Sequence, residues 1–252
     1  MSTLQVMLTS LGLMLGWVTL FRLPFRSPAR RRQIGIWLSE RSRLRADAAF
    51  AVFGTITYLG LGILVLLILS WCTRVPWASY SGVHSIVDVP LTLLAIVGAS
   101  SLNALCMSVL YRIDSTADVP GEVARIQWIS SILALPREAR WVLPAIAALV
   151  EEFVFRGAVF LGLGASGASL AQATIFSTLL FTVGQVLLVS TRTQAVVMAV
   201  SSCTLGLIAC PLVAATGSII PALVVHMSFA GFYTNMSAKG AEISNARRRW
   251  SL

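Results

Sequence analysis

Charge is what this sequence has least of. Only 12% of its residues are Asp, Glu, Lys or Arg, about half of what a soluble globular domain carries. Lysine occurs once, at Lys239, and histidine twice, at His84 and His226. With 57% of the residues hydrophobic, an ordinary soluble domain is excluded, because its surface could not hide that much apolar area. Cys72, Cys106, Cys203 and Cys210 all fall inside apolar segments without a CxxC partner. That excludes a zinc ribbon or a disulfide framework and leaves them as small buried hydrophobes. Internal repeats and low-complexity tracts are lacking too. The class that remains is an all-α, polytopic integral membrane helix bundle.

A spanning helix needs about 20 apolar residues. Seven runs qualify, at about 3–21, 48–72, 89–111, 141–162, 169–189, 194–215 and 218–236. The short apolar run from Gln127 to Arg137 predicts an interfacial or re-entrant helix on the cytoplasmic face, and Trp37 marks a second helix at headgroup level. The expected organisation is three N-terminal spans with basic loops over 1–139, a core over 140–236 and a basic tail over 237–252.

The net charge of +9 raises nucleic acid as a partner, but its distribution argues against one. Eight Arg lie between Arg22 and Arg45. Four more are Arg112, Arg125, Arg137 and Arg140, then Arg192, and the tail holds Lys239, Arg247, Arg248 and Arg249. With seven spans, all of these fall on one side and only Arg74 on the other. The positive-inside rule then puts the N-terminus outside and the C-terminus in the cytoplasm, in a cell inner (plasma) membrane. Anionic lipid headgroups account for the basic excess.

One stretch breaks the apolar pattern. LVEEFVFRGAVF, residues 149–160, places Glu151, Glu152 and Arg156 inside a span. A charge at the bilayer centre costs about 2.5–3.5 kcal/mol on insertion scales, so such residues mark a functional site by default. Glu152 and Arg156 are four apart and share a helix face. Glu151 is turned by about 100° from Glu152, and Phe155, four residues on, offers it no charge. Glu151 is thus expected to keep a free carboxylate, suited to a general base. It lies roughly 16 Å along the helix from Arg140, near mid-membrane, where water arrives only through a cavity. The competing reading is an ion-paired staple between helices.

These residues resemble a known family. EEFVFR matches the EExxxR motif of the intramembrane CPBP proteases, which include the CAAX prenyl proteases and the Abi-like bacteriocin self-immunity proteins. The family's FxxxH falls here on FTVGQ, Phe181 to Gln185, and its HxxxN on His226 to Ala230, after a turn reading TGSIIPA. The resemblance covers about residues 140–235. It implies that Glu151 activates a water, that Glu152 and Arg156 complete the motif, and that His226 faces the oxyanion. Gln185 stands where the family has its water-activating His, and Ala230 where it has its oxyanion Asn. The resemblance also admits a divalent metal such as zinc, with Glu151 and His226 as ligands.

Three functions remain open at this level. The first is an endopeptidase for a membrane-associated, hydrophobic or lipidated peptide, using Glu151, Glu152, Arg156, Gln185 and His226. The second is a catalytically weak or dead relative that binds peptide or serves a membrane-protein partner as an immunity or scaffold subunit. It rests on Gln185, which takes no proton at working pH, and on Ala230, which has no donor. The third is a transporter or proton relay, against which stands the lack of an inverted repeat or paired broken helices.

Overall fold

The computed structural model describes residues 1–23, 27–76, 81–82, 85–114, 118–133, 135 and 140–231. Among these residues every regular element is a helix. His84, the basic tail and the end of the last predicted span lie outside them.

The chain forms α1 (Thr3–Arg22), α2 (Pro28–Ser42), α3 (Ala46–Thr73), α4 (Asp88–Ile113), α5 (Val119–Arg125), α6 (Gln127–Leu133) and α7 (Val142–Glu152). A π-helical segment, Phe153–Phe160, continues α7 without a break into α8 (Leu161–Ala165). Then come α9 (Leu170–Val186), α10 (Arg192–Thr216) and α11 (Ile220–Gly231). Each of the seven apolar runs read from the sequence falls on one of these helices or on the α7–α8 rod. Four of them, α1, α3, α4 and α10, are long and apolar enough to cross a membrane. The region of Trp37 is helical in α2, and the run beginning at Gln127 forms α6.

Local chemistry sets the helix ends. Ser2 with Gln5, Ser169 with Gln172 and Thr191 with Gln194 form capping boxes at the starts of α1, α9 and α10. Each one satisfies two backbone N–H groups that a helix start leaves without partners. The TGSIIPA turn is a stop followed by a start. Gly217 sits at φ 65°, a left-handed position that suits glycine, and its N–H bonds to the Val213 carbonyl to close α10. Ser218 Oγ then accepts from the Ile220 N–H at 3.1 Å, and Pro221 occupies the first turn of α11.

The main core gathers residues of α1, α3, α4, the α7–α8 rod, α9, α10 and α11 around Leu163, Val159 and Cys210. A smaller cluster on α5 and α6 packs against Val197 of α10. The outside is apolar as well. α4 buries only Asp88, Ala99 and Asn103 and exposes Leu93, Leu94, Val97, Leu105 and Val109. Water would not tolerate that surface, and lipid does. Ser201 Oγ on α10 donates to Asn103 Oδ1 at 3.1 Å, tying α4 to the bundle by one of its few polar side chains.

With no hydrophobic force between helices in lipid, close backbone approach carries the packing. Two glycines make it possible. A Cβ on Gly206 of α10 would meet Thr178 Cγ2 of α9 at 2.6 Å, and one on Gly62 of α3 would meet Val150 Cγ1 at 2.6 Å and Trp17 Cζ2 at 2.7 Å. Gly62→Ala is therefore expected to destabilise the protein by about 1–3 kcal/mol through overpacking. Thermal denaturation in detergent micelles measures it, and an unchanged Tm would refute the close packing of α1, α3 and α7.

Candidate active site

Four helical segments meet around the buried charges. Glu151 and Glu152 end α7, Arg156 lies in the π segment, Gln185 is in the last turn of α9, and His226 is on α11. All five residues singled out in the sequence come together here. The α-helical geometry assumed for the 149–160 stretch does not hold. From Phe153 the backbone bonds i to i+5, as in the Leu161 N–H to the Arg156 carbonyl. This wider turn is rare and occurs frequently at functional sites. Tertiary contacts support it. Ser177 Oγ of α9 donates to the Phe155 carbonyl at 2.7 Å, and Gly157 lets Ile219 of the TGSIIPA turn approach, since a Cβ there would lie 3.2 Å from Ile219 Cδ1.

Arg156 and Glu152 are both 0% exposed. Arg156 Nη1 lies 3.0 Å from Glu152 Oε1. The approach is an ion pair rather than a directed hydrogen bond, because the guanidinium N–H groups do not aim at that oxygen. The face of the Phe181 ring lies 4.8 Å from the guanidinium carbon and adds a cation–π contact. The edge of the same ring meets His226, with centroids 5.8 Å apart. The phenylalanine of FTVGQ thus packs against both the guanidinium and the histidine.

His226 bridges the two glutamates. Its Nδ1 lies 2.7 Å from Glu152 Oε1 and its Nε2 lies 3.5 Å from Glu151 Oε2. With the Nδ1–H given to Glu152, Nε2 is the nitrogen turned toward Glu151. A carboxylate on one ring nitrogen fixes which nitrogen faces the chemistry.

Glu151 does not keep the free carboxylate expected from its own helix. Its partners come from three other helices. Gln185 Nε2 donates to Oε1 at 3.1 Å, the Tyr58 hydroxyl of α3 donates to the same Oε1, and His226 faces Oε2. The correction has a simple cause. The i+4 rule sees only the Phe155 side of the helix, whereas these contacts span 93, 34 and 75 positions in the chain. Tyr58 is the residue that the sequence reading missed. The available signal was a phenol in the middle of an aliphatic span, since a Tyr hydroxyl usually finds a partner when buried.

A cavity of about 160 Å³ ends at this cluster. Tyr58, Glu151, Gln185 and His226 form its polar end, and Ala230 also reaches it. The rest of the wall is mostly apolar and is built chiefly from α3, α6, α7 and α10, with Phe50, Trp128 and Leu205 among its residues. Glu151 therefore meets the cavity, while Glu152 and Arg156 lie sealed behind it.

The donor set does not suit a catalytic divalent metal, which takes three protein ligands. Glu152 Oε1 serves Arg156 and His226, His226 Nδ1 serves Glu152, and Gln185 offers an amide rather than an imidazole. Among the described residues no group of three or more His, Cys, Asp or Glu is arranged to hold a metal ion.

Residues 139–232, which carry all of this cluster except Tyr58, match the family model described as Type II CAAX prenyl endopeptidase Rce1-like. Over that segment, a little more than a third of its length, the chain is similar to the Rce1-like family. The match agrees with the CPBP resemblance of the motifs, and the apolar helices make the chain a membrane protein. No curated protein and no solved structure matches the chain. The Rce1-like segment begins just ahead of α7 and ends just past α11, so α1 to α6 lie outside it.

Proposed function

We propose that this protein is an intramembrane endopeptidase that cleaves a membrane-associated or lipidated peptide, with Glu151 as the general base. One observation carries the reading. Glu151 stands at the polar end of an otherwise apolar cavity, with Gln185 and His226 brought to it from two further helices. A cavity of this character accepts a hydrophobic chain and leaves water only where the polar groups converge.

In the proposed reaction Glu151, held at Oε1 by Gln185, takes a proton from a water at Oε2, the oxygen beside His226. The water oxygen forms a bond to the peptide carbonyl carbon. His226, carrying protons on both ring nitrogens, donates from Nε2 to the oxyanion. Collapse breaks the C–N bond, the proton on Glu151 passes to the leaving nitrogen, and the new carboxyl group gives its own proton to the amine, so that the products are a carboxylate and an ammonium. Glu152 and Arg156 take no part in proton transfer. They orient His226 and fix the turn that carries Glu151.

The proposed setting is a cell inner membrane crossed seven times, with the N-terminus outside and the C-terminus cytoplasmic. On that topology α5 and α6 lie at the cytoplasmic face, and the cavity they help to line receives substrate from that leaflet. The proposed organisation keeps α1, α3 and α4 with their basic loops as one part (1–139), the Rce1-like core as another (140–236) and a basic tail (237–252).

A second reading has its own observation. Ala230 reaches the cavity without a donor, and Gln185 replaces a base. A protein so equipped would bind the peptide and cleave it slowly or not at all, serving as an immunity or scaffold subunit. Gln185→His with Ala230→Asn separates the two. The purified protein, assayed in detergent on an internally quenched farnesylated peptide, is expected to gain about 10²–10³-fold in kcat, the size of one oxyanion donor. No gain would mean that the pocket no longer fits the reaction.

A further inference from the structure

We infer that Tyr58, on a helix outside the Rce1-like segment, is the positioning residue that sets which oxygen of Glu151 works as the base; this rests on Glu151 being the base at all. Glu151 Oε1 accepts from two donors, the Tyr58 hydroxyl and Gln185 Nε2. A carboxylate oxygen holding two hydrogen bonds is the poorer place to receive a third proton. Oε2 is left facing His226 Nε2, beside the nitrogen that meets the substrate carbonyl. Gln185 alone could not fix the carboxylate, since a single donor leaves it free to rotate about that contact. Tyr58 supplies the second point.

The hydroxyl is itself held. The Trp17 indole of α1 lies over the Tyr58 ring, with centroids 4.7 Å apart, and its Nε1–H donates to the Tyr58 backbone carbonyl at 3.1 Å. Phe21, one turn further along α1, meets the same ring edge-on, with centroids 5.1 Å apart. Close packing of Gly62 against Trp17 fixes α3 beside α1. The two N-terminal helices therefore serve the chemistry, and the Rce1-like segment is incomplete without them. Tyr58 supports a site in which Gln185 has replaced an imidazole, because two neutral donors then orient the single base.

Tyr58→Phe in the full-length protein tests this, since it removes the hydroxyl and keeps the ring that Trp17 and Phe21 contact. On the internally quenched farnesylated peptide, kcat is expected to fall about 10–100-fold, as loss of one hydrogen bond to a charged group implies. KM should stay within about twofold, and Tm should be unchanged. An unaltered kcat overturns the inference, as does a loss of kcat that only tracks a lower Tm. Infrared difference spectra decide the matter without turnover. The carboxylate stretching band that Glu151→Gln removes is expected to move in Tyr58→Phe, and a band left in place overturns the inference. If Glu151→Gln itself leaves cleavage intact, the base assignment fails. If it abolishes cleavage while Tyr58→Phe does not reduce kcat, only the positioning role fails.

Discussion

Glu151→Gln is expected to lower kcat on the internally quenched farnesylated peptide by about 10²–10⁴-fold, the range that a positioned general base contributes, without loss of folded protein. The substitution keeps the shape of the side chain. Its amide oxygen still accepts from the Tyr58 hydroxyl and from Gln185 Nε2, the two donors that now meet Oε1. What it removes is the capacity to take a proton from water. KM should change little, because the apolar wall of the cavity is untouched. The expected pattern is a fall of kcat and kcat/KM together, the mark of a group needed in the transition state. Cleavage at an undiminished rate would take Glu151 out of the mechanism.

Arg156→Met is expected to act on stability first. Glu152 is fully buried and has Arg156 as its ion-pair partner on the same rod. Arg156→Met leaves Glu152 with the His226 contact alone; removing one member of a buried pair costs about 3–5 kcal/mol, whereas replacing the pair by apolar residues is often close to neutral. The single variant should therefore unfold at a clearly lower temperature in detergent, or fail to accumulate. The double variant Glu152→Leu with Arg156→Met should recover most of the loss, a non-additivity expected of residues in direct contact. Activity should stay low in the recovered protein, because His226 Nδ1 has lost the carboxylate that orients the ring. A single variant as stable as the parent would mean that the pair is not the sealed element described above.

Local features of the chain were legible and distant ones were not. Runs of apolar residues located every long helix, because length and hydropathy are properties of a segment by itself. The Glu152–Arg156 pairing followed from a spacing of four and survives the change from α- to π-helical bonding. That change was not legible. Nothing between Phe153 and Phe160 announces it, and it depends on contacts with α9 and with Ile219 that only the folded bundle provides. Gln185 and His226 were reached through motif resemblance rather than through any periodicity. Tyr58 belongs to no such motif, and its partner lies 93 residues along the chain. The same distance explains why Glu151 was expected to be free. Its partners sit on α3, α9 and α11, and the pattern of its own helix carries no record of them.

The central claim is that one carboxylate meets the apolar cavity while its neighbour is sealed behind it. Labelling with a hydrophobic carbodiimide, read by peptide mass spectrometry, tests it most directly and needs no turnover. The account predicts modification of Glu151, which lines the cavity, none at Glu152, which is 0% exposed, and protection of Glu151 by the farnesylated peptide. Equal labelling of the two glutamates, or labelling of Glu151 that the peptide leaves unchanged, would contradict it.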